Sequence, residues 1–501
     1  MESKAKPGIS PTRAEDFPQW FQSVVRDAEV AELDHVRGCM VIRPWGYGIW
    51  ELMQRALDDA IKETGVSNAY FPLFIPLSYF EEEARHVEGF AKEMAVVTHH
   101  RLEQGPDGLQ PAGELSEPLV VRPTSETIIG RSFAKWINSY RDLPLLINQW
   151  ANVVRWELRP RVLLRTTEFL WQEGHTAHLS EEEARVRTRE MLEVYRSFAE
   201  TVLAMPVIEG EKPESERFPG AESSLTIEAM MQDGKALQSG TSHFLGQNFS
   251  KAMGIEYTSE DDEKRHAFTT SWGVSTRMMG ALVMTHADDN GLRLPPAAAP
   301  RQVVIVPITR HDPERVLEAA RAIASELGER TWNGAPVRSE VDERDRKPAD
   351  KRWEWIRKGV PVVIELGGRD LDQGVLTVTR RDDPGLGREP LQREGGTEAI
   401  VEALGEIQER YLSEATERLR ERTTTDVGTV EEFRDWFSAE GSGEGGFVRA
   451  PWSEDPETET LMAELGVSVR CIPFDGKLGA GAKCVISGKP ATVEAIFAKA
   501  Y

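Results

Sequence analysis

The decapeptide GLRLPPAAAP, residues 291–300, constrains this chain more than any other feature. Two adjacent prolines lack N–H donors and hold φ near −65°, so neither a helix interior nor a central strand runs through them. The residue patterns on its two sides differ, which marks a linker between folding units. A chain of 501 residues has room for several units. The expected division is 1–295, 296–400 and 401–501.

Before the linker, residues 15–290 form one long mixed segment. GCMVIRPWGYGIWELMQRALDDAIKETG reads as a strand, a turn and an amphipathic helix, with Ile49, Leu52, Met53, Ala56, Leu57, Ala60 and Ile61 at helical spacing. NAYFPLFIP is a short apolar strand bounded by prolines. LPLLINQWANVVRWEL reads as a strand pair with a turn near Asn152. Ser180 opens a helix whose first turn is rich in glutamate. TTSWGVSTRMMGALVMTHADDNG reads as a strand running into a helix that ends at Asn290-Gly291. After the linker, the strands QVVIVPI, PVVIEL and GVLTVTRR alternate with the helix ERVLEAARAIASEL, a small α/β pattern. GSGEGG, residues 441–446, is the one low-complexity patch and reads as a flexible turn.

Charge narrows the partners. The formal net charge is −23, which counts against nucleic-acid binding unless lysines and arginines gather on one face. The exception is ERDRKPADKRWEWIRKG, which collects Arg344, Arg346, Lys347, Lys351, Arg352, Arg357 and Lys358. Trp353 and Trp355 within it are placed either to stack on bases or to pack in a core. Cys39, Cys471 and Cys484 are widely spaced, an odd and sparse set that points to a reducing compartment rather than a disulfide framework. No apolar run is long enough for a bilayer and the opening residues carry no apolar leader core, so a cytoplasmic location without membrane attachment is expected.

Three constellations carry chemistry. In NVVRWE, Arg155 and Glu157 are two apart and would share one face of a strand. A guanidinium there can fork onto phosphate while a carboxylate steadies it. RTTEFLWQEGH adds Arg165 and the aromatic face of Phe169. In SWGVSTRMMG, Arg277 falls in the first turn of a helix after a strand, a place from which a cation reaches a triphosphate. RPTSE, WQEGH and GTSH supply Thr124, Glu126, Trp171, Glu173, His175, Thr241 and His243. Trp171, Glu173 and His175 alternate and so face one way in a strand. An aromatic wall with a buried carboxylate suits a small apolar ring bearing a cationic amine.

In this order, the motifs closely resemble those of prolyl-tRNA synthetases. GCMVIRPWGYGIWELMQRAL through NAYFPLFIP resembles class II motif 1, NQWANVVRWE with RTTEFLWQEGH resembles motif 2 and its loop, and TTSWGVSTRMMGAL resembles motif 3. RPTSE, WQEGH and ALQSGTSH resemble the family's proline-pocket signatures, and VVIVPI through VIELGGRDL resembles its anticodon-binding domain. The resemblance implies an α+β catalytic domain, an antiparallel sheet with helices, then an α/β anticodon-binding domain and a small α/β carboxy-terminal domain. It implies ATP-driven activation of L-proline, transfer to tRNA(Pro), Mg²⁺ accompanying ATP, and a homodimer.

The resemblance also implies roles. Arg155 would hold the α-phosphate of ATP and the proline carboxylate, and Thr124 and Glu126 would receive the amine. Trp171, Glu173, His175 and His243 would complete the proline pocket. Glu157, Arg165 and Thr166 would lie by the nucleotide and Phe169 would stack on adenine. Gln238, Thr241, Ser275 and Arg277 would contact ATP, the last two at the ribose and triphosphate. Arg344, Arg346, Lys347, Arg357, Lys358 and Arg369 would meet tRNA. Only about 65 residues separate His175 from Thr241, too few for the editing domain that some members insert there. Where the family often carries four zinc cysteines, this chain is expected to place Arg449, Glu454, Cys484 and Ser487, so no structural zinc is expected and Arg449 and Glu454 would form an ion pair instead. The rival readings are a synthetase-like paralogue that binds ATP or amino acid without charging tRNA, a class II enzyme for threonine, glycine or histidine, and an RNA-binding scaffold. The first would show no tRNA charging, and the last has no use for Arg155, Phe169 and Arg277 in this order.

Overall fold

Ser180 is extended, and its hydroxyl accepts the Glu183 amide, so helix Glu181–Thr201 begins where the sequence places it. That helix is the spine of the first unit. A computed structural model describes residues 8–83, 94–438 and 445–501, leaving most of the GSGEGG patch outside the described residues. Six antiparallel strands follow one another across the catalytic sheet: Val207–Glu211, Ser223–Met230, Ala236–Gly246, Phe268–Ser275, Glu168–His178 and Leu145–Val154. Helices Phe17–Asp27, Pro44–Glu63, Glu181–Thr201 and Arg277–His286 cover one face, burying Trp20, Val24, Ile49, Leu57, Leu192, Tyr195 and Leu282. On the opposite face, Ile129, Phe133, Phe249 and Met253 from helices Glu126–Trp136 and Asn248–Met253 form a second core. A sheet buried on both faces holds its inward side chains rigidly, which a site built on them requires.

Two local expectations are corrected. Leu145–Val154 is one unbroken strand, without a turn at Asn152. The Asn152 amide donates to Glu168 across the sheet at 2.8 Å, and Asn152 pairs with Leu170 in register, so the polar side chain is satisfied inside the ladder. The motif 3 helix ends at His286, four residues early. Asp288 and Gly291 exchange backbone hydrogen bonds in a turn, and Arg381 of the next unit takes the Asp288 carboxylate at 2.8 Å.

The linker is packed rather than free. Leu292, Leu294, Ala298 and Ala299 are almost wholly buried. Beyond it, Ser339–Val341, Val303–Ile308 and Val362–Gly367 run parallel, and Val375–Arg380 and Glu389–Gln392 extend the sheet antiparallel. Helix Gly396–Glu421 then returns to the first unit, where Gln408 donates to the Thr201 carbonyl and Arg418 to the Thr285 carbonyl, both at 2.8 Å.

The last unit does not stand apart. Its strands Phe447–Trp452, Val493–Lys499 and Val467–Pro473 join the catalytic sheet, because Ile472 and Pro473 pair with Glu211 and Gly210. The result is one sheet of eleven strands. Phe447, Trp452, Cys471 and Ile496 are buried in it, while Phe474 stays partly exposed beneath the Arg189 guanidinium.

Candidate active site

Strand alternation places Trp171, Glu173 and His175 on the face away from helix Glu181–Thr201, while Gln172 turns to that helix and meets Tyr195 at 2.6 Å. Gly174, between the two working residues, is demanded by its neighbour. A Cβ there would lie 2.1 Å from the Trp272 ring, so only glycine lets the indole floor the strand.

The pocket's anchor is Glu173, 2% exposed. Gln149 donates to its carboxylate at 2.8 Å, His175 meets it at 3.0 Å, and Ser125 donates to it as well. Burial alone would raise the Glu173 pKa, but these hydrogen bonds and the histidine charge bring it below the ordinary value. Burial would lower His175; its bond to Glu173 and the charges of Glu126 and Glu173 raise it. Glu126 opens helix Glu126–Trp136 beside them and accepts from Thr124. Ligand atoms of Glu126, Glu173 and His175 all lie within 4.8 Å of one another. Two carboxylates this close call for a cation. His243 bonds Ser224 at 2.8 Å through Nδ1 and lies tilted against Phe218. Burial, then the charge of His175, pushes it down to about 3, so it stays neutral.

Cations line the same cavity. Arg155 donates to the Pro123 carbonyl at 2.8 Å and lies 5.6 Å from the Phe169 ring and 5.3 Å from Trp171. Phe169 and Trp171 meet edge to face. Arg277, the first residue of its helix, donates from its side chain to the Leu164 carbonyl at 3.1 Å, and its amide is capped by the Ser275 hydroxyl at 3.2 Å. Burial, then the charges of Arg155 and Arg165, lowers the Arg277 pKa. A cluster of cations in that position is completed by a polyanion.

One cavity is lined by Thr124, Glu126, Arg155, Phe169, Trp171, Glu173, His175, Gln238, Thr241, His243, Ser275 and Arg277. A second, sharing Arg155, Phe169, Ser275 and Arg277, adds Glu157, Arg165 and Thr166. The structure therefore gathers every candidate pocket residue into two adjoining cavities. It corrects one relation. The strand ends at Val154, so Glu157 does not brace Arg155 but pairs with Arg165 at 3.2 Å. Sequence reasoning missed Lys212, Glu216, Phe218 and Ser224, which also line the first cavity. The signal was GEKPESERF, one lysine in an acidic loop.

Comparison with known proteins decides the family. A tRNA synthetase class II core domain (G, H, P, S and T) matches residues 112–286, an anticodon binding domain 302–395, and the prolyl-tRNA synthetase C-terminal domain 433–501. The proline–tRNA ligase of Protochlamydia amoebophila (strain UWE25) is 53% identical over 100% of this chain and 99% of its own. That of Paramagnetospirillum magneticum (strain ATCC 700264 / AMB-1) is 55% identical over the full length of both.

The chain belongs to the prolyl-tRNA synthetases.

The crystal structure of prolyl-tRNA synthetase from Cryptosporidium parvum, complexed with halofuginone and AMPPNP, superposes with a TM-score of 0.89 at 38% identity, covering 99% of this chain and 100% of that one. Against this prolyl-tRNA synthetase frame, two further groups of residues are placed. The basic run is largely neutralised from within. Arg344 is bound by Asp342 at 2.7 Å and Glu354 at 2.8 Å, and Arg346 by Glu354. Lys351 and Arg352 are buried. Lys358 is 8% exposed and pairs with Glu29 of the first unit at 2.8 Å, so it is withdrawn from any RNA surface. On helix Pro348–Arg357 helical periodicity turned Lys351 and Arg352 inward, and Trp355 donates to Asp342 at 2.8 Å beneath Arg344 and Lys358; Arg344 and Arg346 precede that helix and stay exposed, paired to carboxylates. Arg357 is half-buried on the same helix, whereas Lys347 and Arg369 are exposed. In the last unit Arg449 pairs with Glu494 at 2.9 Å and Asp475 at 3.1 Å, not with Glu454. Cys484 is instead neighboured by Ser453 and Ser487, whose hydroxyls lie 3.2 Å apart. Cys484 thus sits in a small hydrogen-bonded group with two serines.

Proposed function

We propose that this chain activates L-proline with ATP to prolyl-adenylate and pyrophosphate, then transfers proline to the 3′ end of tRNA(Pro). The observation that carries this reading is the Glu126–Glu173–His175 cage lying in one cavity with Arg155 and Arg277. A secondary ammonium has two N–H donors and one positive charge. Glu126 and Thr124 supply acceptors, and Trp171 supplies an apolar wall for the ring. The proline carboxylate then lies toward Arg155. It attacks the α-phosphate of ATP, the bond to the β-phosphate oxygen breaks, and pyrophosphate leaves. Arg155 and Arg277 stabilise the charge that grows on phosphoryl oxygens. Phe169 offers its face to adenine, and Gln238, Thr241 and Ser275 hold the nucleotide. In the second step a hydroxyl of the tRNA terminal ribose attacks the activated carbonyl and AMP departs.

Mg²⁺, accompanying ATP, would supply neutralisation of phosphate charge. Hard oxygen donors suit it, and Glu157, which lines the second cavity, is the carboxylate that would hold it. The units 1–295, 296–400 and 401–501 divide activation, anticodon recognition and support of the sheet. Lys347 and Arg369 are exposed, and through them, beside the exposed but carboxylate-paired Arg344 and Arg346, the second unit meets tRNA. Leu33, Val36, Val41 and Tyr47 are exposed around the first strand pair and the start of helix Pro44–Glu63; covering them in a homodimer accounts for that apolar surface. A cytoplasmic location is supported by three unpaired cysteines and by the absence, among the described residues, of a helix long and apolar enough to cross a membrane. Proline-dependent ATP–pyrophosphate exchange followed by charging of tRNA(Pro) tests the reading. Exchange without charging would favour the synthetase-like paralogue.

A further inference from the structure

Lys212 lines the same cavity as Arg155 and Arg277, yet it is 2% exposed. Its ammonium donates to Glu228 Oε1 at 2.8 Å, and the Thr226 hydroxyl donates to that same oxygen at 3.0 Å. The other oxygen, Oε2, is taken by Arg470, whose Nε and Nη2 lie at 3.1 and 3.0 Å. Glu228 is fully buried and Arg470 is 7% exposed. Arg470 belongs to strand Val467–Pro473 of the last unit, so the chain of charge crosses from that unit to the pocket.

Two facts about this chain point outward. One buried carboxylate serves two buried cations. Burial would raise the Glu228 pKa, and the charges of Lys212 and Arg470 keep it below its ordinary value; the second cation is otherwise met only by Glu216, a partly exposed carboxylate at the same cavity. The Lys212 ammonium also has three donors, and among the described residues only Glu228 accepts one; Glu216 stands 3.9 Å away, beyond hydrogen-bond reach. A buried ammonium with spare donors beside two arginines is a site for anionic oxygen. Its location selects which. Glu228 pairs directly with Gln238 across the sheet, on the nucleotide side of the proposed pocket. Glu173 and His175 of the cage that takes an amine lie on the strand Glu168–His178, separated from strand Ser223–Met230 by two others.

We propose that Lys212 is a further ligand for the ATP phosphates, and that Glu228 and Arg470 are positioning residues that hold it, so that the last unit completes the active site. Arg470 occupies one carboxylate oxygen and thereby confines Lys212 to the other. Without Arg470, the ammonium would settle across both oxygens and withdraw from the cavity. This inference rests on the nucleotide placement proposed above.

The test uses the full-length chain and proline-dependent ATP–pyrophosphate exchange, with ATP and proline varied separately. Lys212→Met leaves Glu228 paired to Arg470, and kcat/KM for ATP should fall by about tenfold or more while KM for proline stays within about twofold. Arg470→Met should lower kcat/KM for ATP by roughly threefold or more, with Arg470→Lys restoring most of it. The melting temperature is read for each variant. If Lys212→Met melts early, Lys212→Arg decides: recovered exchange supports the proposal and lost exchange in a stable protein overturns it. Near-normal kcat/KM for ATP in Lys212→Met, or a loss that falls on proline instead, also overturns it, provided Arg277→Ala abolishes exchange in parallel. Should Arg277→Ala keep its exchange activity, the nucleotide placement itself fails.

Discussion

Gly174→Ala is the smallest perturbation that should reach the active site without touching it. The added Cβ would lie 2.1 Å from the Trp272 ring, whereas carbon atoms rest about 3.5–4.0 Å apart. One of the two must therefore move by about 1.5 Å. Trp272 is 2% exposed and lies edge-on against Tyr195 in the core, so it has little room to yield. Overpacking of this kind costs about 1–3 kcal/mol. For a unit of this size that is a fall of roughly 2–10 °C in melting temperature. The strand itself will share the strain, and its neighbours in sequence are Glu173 and His175. A misplacement near 1 Å in positioning residues costs on the order of 10²-fold in rate. Differential scanning fluorimetry and proline-dependent exchange measure the two effects on one sample. An alanine variant with the parental melt and parental kcat/KM would refute the steric reasoning, since it would mean that Trp272 repacks at no cost.

Three further outcomes are expected. Arg155→Ala and Arg277→Ala should each lower kcat for exchange by about 10²–10³-fold, equivalent to ~3–4 kcal/mol of barrier, with circular dichroism and the melt unchanged. The Glu173–His175 pair should stabilise the fold most between pH 4.5 and 6.5, the ordinary values of the two groups: the lowered Glu173 loses its contribution as pH falls through its folded pKa, and the raised His175 loses its own as pH rises through its folded pKa, so melts recorded across pH should peak there and Glu173→Gln should flatten the peak. Metal analysis of the purified chain should find far less than one zinc per molecule and chelators should leave the melt unmoved, whereas Arg449→Ala, which breaks a partly exposed pair with Glu494 and Asp475, should cost no more than about 1 kcal/mol in urea titration.

Local rules alone determined a good deal about this protein. The Ser180 cap, the period-2 spacing of Trp171, Glu173 and His175, the alternating strands and helices after residue 300, and the proline pair at the linker each depend on neighbours in sequence, where steric and hydrogen-bond preferences act directly. The candidate pocket was legible for the same reason: its residues sit in short motifs whose order survives in the chain. What only the tertiary structure decided depends on partners far apart in sequence. Arg449 was expected beside Glu454, five residues on, but its charge is met by Glu494 and Asp475, which strand pairing brings alongside. Lys358 read as a free cation because Glu29, more than three hundred residues away, is invisible in a local window. The fusion of the last unit's strands to the catalytic sheet through Ile472 and Pro473 has no local signature at all, since an edge strand's unpaired N–H and C=O groups accept any extended partner that packing delivers. Lys212 and Arg470 stand 258 residues apart in the chain and are joined only through Glu228, because the energy that joins them is the cost of leaving a buried charge alone, and burial is a property of the folded molecule.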